Sequence, residues 1–197
     1  MTLFHALGPF AAQGGVVAAP GMILMKPTSI THSGTSATLG ANGQVTFTAV
    51  NSVSLNGCFT ADFDNYVISL RATSNTDGYL NHRYRASGSD DTGSNYTYQE
   101  LVAAGSGDSG ARATAAETYN TRISTSNMSA FAVNIYGPAL AQPTASRSVS
   151  VGGLNGAELW DFASTHSLST SYDGITFFFL AGARNMTGKL AVYGIRS

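Results

Sequence analysis

The chain has 197 residues, with 10 Lys and Arg against 11 Asp and Glu and a formal net charge of −1. Charged residues make up 11%, where typical globular chains carry about a quarter, and 23 Ser, 21 Thr and 22 Gly take their place. That length suits one full-sized domain; the charge balance speaks against nucleic acid as a partner, and no apolar run is long enough to span a membrane as a helix.

Residues 1–25 carry Phe4, Leu7, Phe10, Val16, Val17, Met22 and Met25 between Gly and Pro, with His5 as the one titratable side chain. They show neither a helical nor a strand period, so they cannot bury these side chains locally. The reading is an extended arm, with Phe4, Leu7, Phe10 and Val17 as contacts to a neighbouring subunit; the alternative is a tail that wraps its own sandwich. A basic stretch ahead of the apolar one is absent, so no secretory signal is expected.

Residues 26–197 are expected to form one β-sandwich domain. Gln44–Val50 alternates with Val45 and Phe47 inward, after the turn Gly40-Ala-Asn-Gly43. Cys58 follows, the sole cysteine, which excludes an intramolecular disulfide; between Leu55 and Phe59 it reads as a small buried hydrophobe. Tyr66–Arg71 puts Tyr66, Ile68 and Leu70 on one face. Tyr79–Arg85 and Asn95–Val102 are further strands, and the Ala/Gly/Ser/Thr stretch 103–118 reads as a loop. Thr121–Thr125, Ser129–Tyr136, Ala145–Val151 and Glu158–Ala163 continue the series. Ile175–Leu180 is apolar on both faces: Ile175, Phe177 and Phe179 point one way, Phe178 and Leu180 the other. The second set requires a further layer, from this chain or from a second copy, so Phe178 and Leu180 are subunit-interface candidates. Lys189–Arg196 closes the series. About ten short strands without a helical period predict an all-β, antiparallel, jelly-roll-like sandwich.

Candidates for chemistry are few. His5, His32, His82 and His166 show no metal-ligand spacing, and no Gly-x-Ser-x-Gly elbow occurs. No catalytic residue, cofactor or metal is assigned on this basis. Asp62 and Asp64, and Asp90 and Asp91, could offer oxygens to calcium or bond their own turns. Arg71, Arg83 and Arg85 are expected to pair with Asp64 and Asp77. Tyr96 and Tyr98 share a strand face and Trp160 follows a turn. These three rings are candidates for stacking on a sugar, although such rings more often serve a sandwich core or subunit interface.

The order of several segments is distinctive: Met25-Lys-Pro-Thr-Ser-Ile-Thr-His-Ser-Gly34, Ser54-Leu-Asn-Gly-Cys-Phe-Thr60, Phe63-Asp-Asn-Tyr66, Tyr84-Arg-Ala-Ser-Gly88, Ser94-Asn-Tyr-Thr-Tyr98 and Gly188-Lys-Leu-Ala-Val-Tyr-Gly-Ile195. Across about residues 25–197 the chain resembles small β-sandwich virion structural proteins of tailed bacteriophages, of minor-tail and tail-fibre type. The resemblance implies a non-enzymatic virion component, made in the host cytoplasm, that contacts other virion proteins as a homo-oligomer, a trimer being favoured. Tail appendage, fibre or baseplate is the first placement it implies. A capsid decoration protein clamped by its arm is the second. A carbohydrate-binding module touching a host-surface glycan is the alternative of another class.

Overall fold

The period-2 alternation is realised as fourteen antiparallel strands and, among the described residues, no helix. The computed structural model describes residues 21–116, 118–125, 128–152, 158–180 and 183–196. In chain order the strands are β1 (Met22–Met25), β2 (Ser29–Leu39), β3 (Val45–Asn56), β4 (Asn65–Ser74), β5 (Gly78–Ala86), β6 (Ser89–Asp90) and β7 (Tyr96–Ala104). They continue as β8 (Gly107–Ala116), β9 (Tyr119–Ile123), β10 (Ser129–Tyr136), β11 (Thr144–Gly152), β12 (Glu158–His166), β13 (Gly174–Phe178) and β14 (Met186–Ile195).

Strand β3 organises the molecule by serving two sheets. Val45–Val50 pair with β14, Ser52–Leu55 pair with β13, and β2 runs along the opposite edge. Between these halves the ribbon bends. Register slips between Ser33 and Gly34 and between Met186 and Gly188, and Ala49 takes a φ of 47°. Gly34 has a φ of 110°, and a Cβ there would collide with the Ala49 carbonyl, so glycine is required opposite the bend.

The large sheet runs β3–β14–β4–β10–β11–β12–β7–β8, and β1 takes over the edge of β14 where β3 leaves it. The small sheet runs β2–β3–β13–β5, with β9 and β6 sharing the far edge of β5. The two sheets stack face to face across one apolar core, the arrangement of a sandwich whose corner is a bent strand. Phe177 of β13 meets Phe131 of β10 with ring centroids 6.3 Å apart, and Tyr84 of β5 stacks on Tyr96 of β7 at 6.3 Å. Tyr66 fixes the loop before β4: its hydroxyl donates to the Thr60 carbonyl at 2.6 Å and accepts the Thr60 N–H at 2.7 Å.

The all-β antiparallel sandwich matches the sequence pattern, and three boundaries differ. Residues 103–118, expected as a loop, contain β8, which pairs with β7 from Tyr96–Ala116 to Ala104–Gly107. No apolar period marks β8 because it lies at the sheet edge with both faces largely in solvent, so its ladder with β7 holds it. Strand β2 likewise lacks a core-facing period, being mostly exposed. Finally, Met22–Met25 pair with β14, so the expected arm of residues 1–25 overlaps the sandwich by a strand. Its contact candidates Phe4, Leu7, Phe10 and Val17 lie outside the described residues.

Candidate functional site

Three buried polar clusters and one bare apolar face are the features with functional potential. The first cluster closes one end of the sandwich. His166, the last residue of β12, is wholly buried, and its Nε2 lies 2.8 Å from Asp91 Oδ2. The Tyr172 hydroxyl donates to the same oxygen at 2.9 Å, and the Gly93 N–H donates to Asp91 Oδ1 at 2.9 Å. Tyr96 donates to the Asp91 carbonyl at 3.0 Å. Burial alone would raise the Asp91 pKa; the Gly93, Tyr172 and His166 donors outweigh it and hold the carboxyl below its usual value. Burial lowers the His166 pKa, opposed in part by Asp91. Burial and the bond to Asp91 raise that of Tyr172.

An Asp–His pair is also the basis of hydrolytic triads, where it activates a hydroxyl. Here the hydroxyl at His166 belongs to Tyr172, which is kept protonated, and the imidazole has no exposed edge for a substrate. The cluster acts as a clasp between the segment after β6, the end of β12 and the segment before β13. Asp91 is thereby engaged by protein donors.

The second cluster lies on the outer face of the small sheet. Arg85 forms an ion pair with Asp90, donates from Nη1 to Thr176 Oγ1 at 2.7 Å and from Nε to Asn56 Oδ1 at 3.0 Å. Thr176 donates onward to Ser54 at 2.8 Å. Arg85 therefore pairs with Asp90 rather than with Asp64 or Asp77. The Asp77 carboxylate instead accepts the Thr125 N–H at 2.6 Å. The Arg83 guanidinium sits 4.7 Å from the centre of the Phe178 ring. Part of the second layer required by Phe178 thus comes from its own chain, while Leu180 stands exposed.

The third cluster seals the sandwich between β5, β9 and β12. Arg122 lies 5.3 Å from the Tyr79 ring centre and 5.1 Å from that of Trp160. Trp160 also stacks on Phe162 at 5.9 Å and donates from Nε1 to Glu158 at 2.9 Å. These contacts take Tyr96 and Trp160 out of the sugar-stacking reading. Tyr96 has no exposed area, and Trp160 is only 8% exposed and covered by Phe162, Tyr79 and Arg122, so neither offers a ring face. Tyr98 is half-buried against Phe162. Cys58 is buried as expected, and burial pushes its thiol pKa up, away from reactivity.

The bare face is the outer side of the large sheet. Here β11 is inverted. Its Ser146, Ser148 and Ser150 point into the sandwich at 6%, 3% and 1% exposure, while Val149 and Val151 point outward at 42% and 46%. The register across the sheet extends the outward valines into rows. One row reads Lys189, Arg71, Ala130, Val151, Leu159, Ala103, Asp108, from β14 across to β8. The next reads Ala191, Ser69, Ala132, Val149, Asp161, Leu101, Gly110. Among the described residues of this face, Arg147 and Asp161 alone form an ion pair, with Nε donating at 3.0 Å. Two adjoining open hollows, about 640 and 470 Å³, indent the β8–β7–β12–β11 part of it.

Sequence reasoning missed this face. The Ser/Val alternation of 145–151 announces a strand but not which set faces the core. A signal did exist: neighbouring β10 and β12 bring Phe131, Val133, Ile135, Trp160 and Phe162 to the inner side, which leaves room beside them for small side chains only. Among the described residues no group of three or more His, Cys, Asp or Glu is arranged to hold a metal ion, and no helix is long and apolar enough to cross a membrane. No protein-family model matches the chain, and no curated protein matches it.

Proposed function

We propose that the chain is a non-enzymatic structural protein of a tailed-phage virion, working as a homo-oligomer in a tail appendage, fibre or baseplate. The observation that carries the reading is the bare face: a protein that exposes Val149, Val151, Leu159, Leu101 and Tyr136 on one sheet side has an assembly surface rather than a reaction centre. Its buried polar groups support the same reading, since Asp91, His166, Arg85 and Asp90 bond one another and their neighbours. The resemblance of residues 25–197 supplies the virion. Residues 1–20, free of Asp, Glu, Lys and Arg, supply an attachment segment for other virion proteins.

Quantitative mass spectrometry of purified particles tests the reading. The chain is expected there in the few copies of a tail part. Copies by the hundred would move it to the shell as a decoration protein. Its absence from particles that the same gene set produces would overturn the virion assignment.

A further inference from the structure

We infer that a second copy of this chain covers the outer face of the large sheet, through a two-fold axis that runs parallel to the strands close to β11. The inference deepens the homo-oligomer part of the proposed function and does not depend on where the protein sits on a particle.

The inverted polarity of β11 is the first observation. A shift of one residue would bury the valines and expose the serines, because side chains alternate faces with a period of two. The chain instead buries Ser146, Ser148 and Ser150 and leaves Val149 and Val151 outside. In a monomer that arrangement leaves two valines in water on the outer face. It becomes favourable when the outer face is a second buried layer.

Charge identifies the occupant. Lys189 and Arg71 stand directly opposite each other on β14 and β4, a like-charge pair that repels. Neither has an acidic partner among the described residues. Asp108 stands at the other end of the same row, on β8, and is likewise exposed. An axis along the strands at β11 turns this row end for end. It sets Lys189 against Asp108 of the second copy, Arg71 against Ala103 beside that aspartate, Ala130 against Leu159, and Val151 against Val151. In the next row Val149 meets Val149, and further on Tyr193 meets Arg112. Arg147 meets its own copy, but each guanidinium already carries the Asp161 carboxylate, so the meeting pairs are neutral.

Shape agrees with charge. Tyr136, about half exposed, is the one large side chain standing out from this face on β10. The same axis sets it over Thr165, which with Thr97, Ala145 and Ala163 lines the hollow of about 470 Å³. Area agrees as well. Seven strands about 4.8 Å apart and four rows about 6.8 Å apart cover about 600 Å² in plane, before side-chain relief is added. A standard interface needs about 800 Å² from each partner.

Sedimentation velocity of the full chain across micromolar concentrations tests this. The unaltered protein is expected to form a dimer. Combined Val149→Glu and Val151→Glu substitutions should weaken it by at least about 100-fold, since they bury two like charges against their own copies. Lys189→Glu alone and Asp108→Lys alone should each weaken it by about tenfold, and together restore it. A wild-type monomer throughout the range, or a dimer that survives the double Val substitution, overturns the inference. If circular dichroism shows that the double Val variant fails to fold, the Lys189/Asp108 pair decides, and lack of mutual rescue overturns it. Particle counting stays separate: a dimer absent from particles sinks the virion reading alone, and a monomer found on particles sinks the face pairing alone.

Discussion

The two outer faces of the sandwich are built by opposite rules. On the small sheet the outward positions are polar and bonded to one another: Arg85 to Asp90, Thr176 and Asn56, with Thr176 on to Ser54. Even Phe178 is covered there, by Arg83. On the large sheet the outward positions include Ala130, Ala132, Val149, Val151, Leu159, Leu101 and Ala103 beside Lys189, Arg71, Ser69 and Asp108, and among the described residues the face holds one ion pair, Arg147 with Asp161. One face is polar and bonded to itself, and the other carries exposed Val, Leu and Ala side chains. Strands β10 and β11 sharpen the contrast, because they pair without a break from Ala130–Val151 to Tyr136–Ala145. Strand β10 buries Phe131, Val133 and Ile135 in the ordinary way; β11 buries serines.

The largest expected effect separates core from outer face. Phe177→Ala removes a wholly buried ring between the sheets and should cost about 3–5 kcal/mol in denaturant unfolding. Leu101→Ala, at a position 64% exposed, should stay within about 0.5 kcal/mol when unfolding is followed at dilution. A comparable loss at Leu101 in dilute protein would mean that the outer face is already buried in the monomer.

Acid should act from inside. Burial pushes the His82 pKa from 6.5 to about 3, and lowers that of His166 as well. The folded-state values lie below the unfolded ones, so the unfolded chain binds more protons. The stabilisation is full above the unfolded value of 6.5 and is lost as pH falls toward the folded one. For His82 that is on the order of 3–5 kcal/mol. Asp91, also lowered, adds a loss below its unfolded value of 3.8. His82→Phe keeps a ring against Phe177, 5.6 Å away, and removes the titration. Its melting temperature should fall less than that of the unaltered chain between neutral and acid pH; identical curves would remove His82 as the cause.

A smaller loss is expected at the clasp. Asp91→Ala leaves the wholly buried His166 and the Tyr172 hydroxyl without their shared acceptor, at about 1–3 kcal/mol. Hydrogen exchange should locate the loosening in the loop after β6 and the end of β12.

The smallest effect carries a positive sign. The Ser150 Oγ is buried with no hydrogen-bond partner among the described residues. Ser150→Ala should therefore stabilise the monomer by up to about 1 kcal/mol, and thermal unfolding would register it. A clear loss would mean that the inward serines of β11 have a use inside the sandwich.

What was legible in the sequence follows these faces. Strands with one buried apolar set, such as Tyr66-Ile68-Leu70 and Val45-Phe47, announced both their existence and their inner side. Strand β8 did not, because Gly107–Ala116 has no buried face to leave a period. Asp91 and His166 lie seventy-five positions apart and meet only through the β7–β12 pairing, so no local spacing could join them. Arg85 was legible as a cation in need of an acid, yet its partner was set by the turn into β6 rather than by the neighbouring strands. Val149 and Val151 were read as strand residues, but which side they face depends on β10 and β12.

The face pairing is tested most directly at its axis. Val151→Cys adds a thiol beside the sole native cysteine, Cys58, which is fully buried and unreactive. Stacked sheets lie about 10 Å apart, so a short bismaleimide can bridge two copies there. Rapid cross-linking of Val151→Cys into a covalent dimer is expected, with none for Leu180→Cys on the other side of the sandwich. A Val151→Cys protein that is labelled only as monomer, while Leu180→Cys cross-links, would contradict the account.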